Sequence, residues 1–143
     1  MKLTQISVFL ENKKGRLLEV CSLLGEGGIN IRALTIAESE GYGVLRMVVN
    51  KPEEAMRLLK GKAFVANLTD IVAVQVEDKP GGLAKILKII NDRDINVEYM
   101  YGFVEKFSDR ALMVFRFEDA DGAIAALTEN KVKVVSKEDV VNL

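Results

Sequence analysis

Two short stretches hold the residues best placed to do chemistry. Glu11-Asn12-Lys13-Lys14-Gly15-Arg16-Leu17 and Glu77-Asp78-Lys79-Pro80-Gly81-Gly82-Leu83 each put glycine and a short polar residue where a strand ends and a helix begins. Backbone N–H groups at a helix start lack intrahelical acceptors and sit at the positive end of the helix dipole, so those around Gly15 to Leu17 and Gly81 to Leu83 can hold a carboxylate. Glycine lets the backbone approach closely. Asn12 and Asp78, just ahead, can accept hydrogen bonds from an ammonium group. Carboxylate and ammonium together describe an amino acid. The competing explanation is local: Asn12 and Asp78 shape the turn or cap the helix, and Pro80 and the glycines serve geometry. Asn30 and Asn96, each in Ile-Asn-(Ile/Val) at the return from helix to strand, could orient the loop or contact a ligand. Asparagine is also common there because it tolerates left-handed geometry.

Composition removes most other chemistries. The 143 residues include no His and one Cys. Without histidine there is no side chain that ordinarily titrates near neutrality, and the commonest metal ligand is missing. Triads, histidine bases and histidine-zinc sites are excluded. One cysteine makes neither an intrachain disulfide nor a CxxC site. Twenty Lys and Arg against 21 Asp and Glu give a net charge of −1, which offers no bulk attraction to a phosphate backbone or an anionic membrane. No nucleic-acid, membrane, metal or cofactor partner is expected. No apolar run approaches the ~20 residues of a membrane span, and the start of the chain lacks an apolar signal region, so a cytoplasmic location is expected.

The two stretches belong to an internal repeat. They lie 66 positions apart, Glu11 against Glu77, with four of seven residues identical, and Gly28-Ile29-Asn30-Ile31 matches Asp94-Ile95-Asn96-Val97 in the same register. Ala55 and Leu59 match Ala123 and Leu127 two positions later, which places an insertion in a hairpin loop of the second copy. Asp70-Ile71-Val72 resembles Asp139-Val140-Val141, suggesting a short strand echo at the C-terminus.

Periodicity supplies the elements that must position the loops. Ile6, Val8 and Leu10 alternate with polar residues and predict a half-buried strand; Ile71 to Val76 is the counterpart. Leu17, Val20, Cys21, Leu24 and Leu83, Ile86, Leu87, Ile90 follow the i, i+3, i+4, i+7 pattern of amphipathic helices. Hairpins follow at Ile31 to Ala37 with Val44 to Val49, and at Val97 to Val104 with Ala111 to Phe117, the latter through a polar turn at Lys106 to Asp109. Pro52 opens a helix through Leu59, Asp121 precedes its partner through Leu127, and brief strands at Phe64 to Ala66 and Val132 to Val135 close the units. The order βαββαβ, twice, predicts an α+β fold of two ferredoxin-like units, each an antiparallel sheet with two helices on one face. The boundary falls near Asn67 to Asp70, giving domains 1–68 and 69–143.

The chain resembles tandem ACT-domain proteins. The resemblance rests on Asp78-Lys79-Pro80-Gly81-Gly82-Leu83 with Asp94-Ile95-Asn96-Val97, and on the weaker Asn12-Lys13-Lys14-Gly15-Arg16-Leu17 with Gly28-Ile29-Asn30-Ile31. It implies a regulatory module that binds amino acids and performs no catalysis. By this resemblance the ligand positions are Asn12, Gly15, Arg16, Leu17, Asn30 and Ile31 in the first copy, and Asp78, Pro80, Gly81, Gly82, Leu83, Asn96 and Val97 in the second. The first copy departs from the pattern, with Lys14 in place of proline and Arg16 after the glycine. The alternative is an interaction subunit of an amino-acid-metabolism enzyme whose loops no longer bind ligand. A homodimer is a further expected association.

Other features read as ordinary structure. Tyr99, Tyr101 and Phe103 alternate along one face, but Ala111 to Phe117 lacks the glycine-aromatic run of a base-stacking platform, so the stripe is assigned to an apolar surface between units or chains. Cys21 is assigned to the core. Glu53-Glu54 and Glu138-Asp139 sit at helix starts, where they offset the dipole. Glu38 and Glu40 flank a turn and are read as solvated. A small hydrolase using Arg16 and Asn30 is the remaining, least supported, enzymatic reading.

Overall fold

A computed structural model describes residues 1–104 and 109–141. The chain forms two compact units, Thr4–Thr69 and Asp70–Leu143, with Met1–Leu3 grouped with the second. The first contains β1 (Leu3–Glu11), α1 (Arg16–Glu26), β2 (Ile31–Ser39), β3 (Tyr42–Val49), α2 (Pro52–Gly61) and the start of β4 (Val65–Glu77). The second continues β4 and adds α3 (Gly82–Asp92), β5 (Val97–Gly102), β6 (Arg110–Phe117), α4 (Ala120–Glu129), β7 (Val134–Val135) and α5 (Lys137–Val141). This is the expected α+β architecture of two ferredoxin-like units.

In the first unit β3 lies between β1 and β2, antiparallel to both, and the register sets Leu10 opposite Gly43 and Gly43 opposite Glu38. In the second, β6 lies between β4 and β5, with Glu77 opposite Arg110, and β7 pairs with β4 at Ala73 and Val74. Even the irregularities repeat: β2 and β5 break register at Ile31 to Ala33 and Val97 to Tyr99, which are equivalent positions.

The helices cover one sheet face in each unit. Ile6, Val8, Leu10, Leu45, Met47 and Val49, alternate residues of β1 and β3, pack with Val20 and Leu24 of α1 and with Ala55 and Leu59 of α2. Val72, Val74, Val76, Phe115 and Phe117 pack with Ile86, Ile90, Ala123 and Leu127 in the second. Fully burying one such Leu or Ile contributes about 1.5–3 kcal/mol, so these side chains fix where each β-to-α loop must lie.

The structure changes four expectations. β4 is one strand of 13 residues, where two separate strands, Phe64 to Ala66 and Ile71 to Val76, were expected; no Gly or Pro falls between Val65 and Glu77 to interrupt it. Asp139-Val140-Val141 is helical, not a strand echo. Ser136 and Asp139 close a reciprocal cap, Ser136 N–H to Asp139 Oδ2 at 3.1 Å and Asp139 N–H to Ser136 Oγ at 3.2 Å. The Ser136 backbone N–H, followed by its hydroxyl, holds the Asp139 carboxyl below its ordinary value. The cap of α4 is Asp119, whose Oδ1 accepts the Gly122 N–H at 3.0 Å, which leaves Asp121 inside the first turn. Finally, β1 is not half-buried at Gln5 and Ser7: both are buried, with Gln5 Nε2 donating to Ser7 Oγ at 3.4 Å, so polar alternation there does not mark a wet face. The turn expected at Lys106 to Asp109 lies, but for Asp109, outside the described residues.

Candidate functional site

The two loops share a backbone. Gly15 and Gly81 cap α1 and α3 at φ 90° and 85°, a left-handed angle that disfavours any side chain. Lys13 N–H donates to Glu11 O at 2.8 Å and Lys79 N–H to Glu77 O at 3.0 Å. Arg16 N–H then donates to Lys13 O at 3.4 Å, and Gly82 N–H to Lys79 O at 3.0 Å. The N–H groups at positions 16 and 82 are therefore taken by the loop itself, which narrows the expected anion donors to Gly15 and Leu17 in the first loop and Gly81 and Leu83 in the second.

Charge also repeats across the turns. Lys13 Nζ meets Glu11 Oε2 at 2.7 Å and Lys79 Nζ meets Glu77 Oε2 at 2.8 Å. The lysine hydrogen bond, ahead of its charge, holds each carboxyl below its ordinary value; Lys85 adds to the effect on Glu77.

The side chains diverge. Arg16 lies over the Phe64 ring at 5.0 Å and its Nη1 donates to Glu19 at 2.8 Å. Its Nε is buried without a hydrogen-bond partner. At the equivalent Gly82 a Cβ would stand 2.0 Å from Glu77 O, so the second loop admits only glycine where the first carries arginine.

A cleft of about 380 Å³ opens beside the first loop, lined by Asn12, Arg16 and Leu17 together with Glu11, Lys13 and Glu38. Three expected positions thus converge. Glu38, read from the sequence as solvated, belongs to this cleft; the signal was the strand register, which sets Glu38 opposite Gly43 and Gly43 opposite Leu10. It forms no ion pair among the described residues. In the second unit Gly82 lines a different cleft of about 400 Å³, with Glu77, Lys85, Arg110, Lys131 and Lys133. Asp78, Pro80 and Gly81 are exposed on the turn above it, and Leu83 is 36% exposed against 39% for Leu17.

Within each unit Asn30, Ile31, Asn96 and Val97 are not brought to the loops. They stand at the opposite end of the hairpin, where Asn30 N–H donates to Asn50 Oδ1 at 2.9 Å, Asn50 N–H to Asn30 O at 3.2 Å, and Glu118 N–H to Asn96 O at 3.0 Å. The left-handed residues of these returns are Gly28 and Asp94, at φ 75° and 57°, not the asparagines. Tyr101 of the aromatic stripe is buried. Cys21 is half-buried, and that burial raises its thiol pKa, so it is a poor nucleophile. The described residues contain no cluster able to hold a metal ion and no helix long and apolar enough to cross a membrane.

A family model described as an ACT domain pair matches residues 1–143. The chain belongs to the ACT domain pair family. A solved protein of Bacteroides thetaiotaomicron is 38% identical, with 100% of this chain and 98% of that one covered and a TM-score of 0.93. The ligand-free regulatory subunit of aspartate kinase from Thermus thermophilus is 20% identical over 88% of this chain and 91% of its own, at a TM-score of 0.65. Its counterpart from Thermus flavus is 19% identical over 88% and 90%, at 0.61. The two kinase subunits share the ACT pair fold with this chain. No protein of curated function matches it.

Proposed function

We propose that this ACT domain pair is a regulatory protein that binds a free amino acid and performs no catalysis of its own, with domains at 1–68 and 69–143. One observation carries the reading: the first cleft gathers two cations, Lys13 and Arg16, and two carboxylates, Glu11 and Glu38, around Asn12 and Leu17. A balanced set of this kind suits a zwitterion. The ligand carboxylate meets Arg16 and the N–H of Leu17, and its ammonium meets Glu38 and the Asn12 carbonyl oxygen. The second loop, where Asp78 replaces Asn12 and Gly82 replaces Arg16, contributes through Asp78, Pro80, Gly81, Gly82 and Leu83 and need not bind equally. The aspartate kinase subunits of the same fold are regulatory by name, which agrees with a metabolic enzyme or a second copy of the chain as the cytoplasmic partner.

The test is a thermal-shift screen of the twenty amino acids followed by calorimetry. A selective, saturable response that Arg16→Ala and Glu38→Gln each weaken supports the reading. Silence toward every amino acid at millimolar concentration defeats it and leaves the interaction subunit.

A further inference from the structure

The cleft of the second unit has the wrong chemistry for a zwitterion. Four cations, Lys85, Arg110, Lys131 and Lys133, line it against the single carboxylate of Glu77. That carboxylate is already engaged, Oε2 by Lys79 at 2.8 Å and Oε1 by Lys85 at 3.4 Å. Asp139 approaches Lys133 at 3.7 Å. Arg110 and Lys131 form no ion pair among the described residues. No unengaged carboxylate lines the cleft to receive an ammonium group, and two of its cations have no counter-ion among the described residues.

The first unit acts as an internal control, because the same fold is built there with other residues at all four places. Lys85 corresponds to Glu19, 66 positions earlier in the matching helix. Arg110 corresponds to Tyr42, since each faces the last glutamate of the neighbouring strand, Glu77 and Glu11. Lys131 corresponds to Ala63, both left-handed at φ 61° and 63°. Lys133, next in the same return, corresponds to Val65. An acid, a phenol, a methyl and an isopropyl group serve the fold equally well, so four cations converging on one cleft are not a requirement of the architecture. Convergent like charges repel, and an anion relieves that repulsion.

We propose that this cleft binds a small molecule through a phosphate group. Its volume of about 400 Å³ lies in the range of small-ligand sites. The planar guanidinium of Arg110 offers two parallel donors to phosphate oxygens, and the three lysines add point charges around the same dianion. A monocarboxylate would leave most of this charge unanswered. The site is separate from the first cleft, so either reading can fail while the other stands.

The experiment is calorimetry on the full chain at about 0.1 M salt, where long-range attraction is largely screened, with AMP, adenosine and inorganic phosphate as probes. AMP is expected to bind saturably with a Kd below about 1 mM, and adenosine is expected not to bind. Inorganic phosphate as strong as AMP assigns the free anion as the ligand; weaker phosphate assigns an esterified one; either supports the site. The double variant Arg110→Tyr/Lys131→Ala installs the residues that the first unit uses at both places and is expected to weaken AMP by about tenfold or more. Lys60→Ala/Lys62→Ala, which removes two cations elsewhere, is expected to leave binding unchanged. Independently of any variant, amide resonances of Gly82, Asn130 and Lys131 are expected to move on titration while that of Ala63 does not. Absence of saturable AMP binding, adenosine equal to AMP, full binding by the Arg110/Lys131 variant, or a preference for duplex DNA over AMP each overturns the proposal.

Discussion

The loops Glu11–Leu17 and Glu77–Leu83 have the same backbone and unlike surfaces. Both turn through a left-handed glycine, both close with an N–H to the carbonyl three residues back, and both tie the strand-end glutamate to a lysine two residues on. Yet one carries Arg16 stacked on Phe64, and the other carries Gly82 with Val132 in the place of that ring. The turn with arginine is the looser by the length of its closing bond, 3.4 Å against 3.0 Å, which fits the room its Cβ needs. Backbone equivalence is therefore inherited from the shared fold, whereas ligand chemistry is set copy by copy. Around the first loop charge is balanced; around the cleft below the second it is strongly positive.

The sharpest way to break this comparison is Gly82→Ala. Its methyl would sit 2.0 Å from a backbone oxygen, and overpacking against backbone is expected to cost about 2–3 kcal/mol in chemical denaturation. Unchanged stability would show that the second turn opens as easily as the first. Next come Gly15→Ala and Gly81→Ala, both facing open space at positive φ. Each is expected to cost about 1–2 kcal/mol, through backbone conformation alone. Unequal costs, by more than about 1 kcal/mol, would mean that the two backbones are not equivalent in solution. Arg16→Ala removes the stack on Phe64 and the exposed pair with Glu19, a loss of about 0.5–1 kcal/mol, measured in the same denaturation series.

The smallest effect is in acid. Glu11 and Glu77 titrate below the ordinary value of 4.5 in the folded chain. A carboxyl depressed by folding adds stability above its unfolded pKa and loses it as pH falls through the folded one. The contribution of both is therefore present at neutral pH and fades below about pH 4.5. Carboxyl carbon titration by NMR is expected to show Lys85→Ala raising the Glu77 midpoint while leaving Glu11 in place, because only the second loop recruits a lysine from the following helix.

Much of this was legible in the residues. The repeat, the glycine before each α1-type helix and the two hydrophobic periods were enough for the βαββαβ order, since a side-chain spacing of two or 3.6 has few structural solutions. They also placed Asn12, Arg16 and Leu17 together, because consecutive loop residues cannot separate far. What they missed depended on particular hydrogen bonds, some between near neighbours and some across a hairpin, which apolar spacing does not encode. Ser136 with Asp139 made a helix where Val140-Val141 favoured a strand. Gln5 and Ser7 are buried, with Gln5 Nε2 donating to Ser7 Oγ, where polarity suggested solvent. Asn30 and Asn96 joined their own hairpins and not the loops.

The sequence by itself determined the repeated βαββαβ order and the place of the two glycine turns, because hydrophobic period and glycine's backbone freedom act over a few neighbouring residues. Only the tertiary structure decided that Glu38 and Arg16 line one cleft and that Lys85, Arg110, Lys131 and Lys133 line another. Those groupings arise from strand register and helix return, which join residues tens of positions apart, and electrostatic chemistry depends on distance in space, not along the chain.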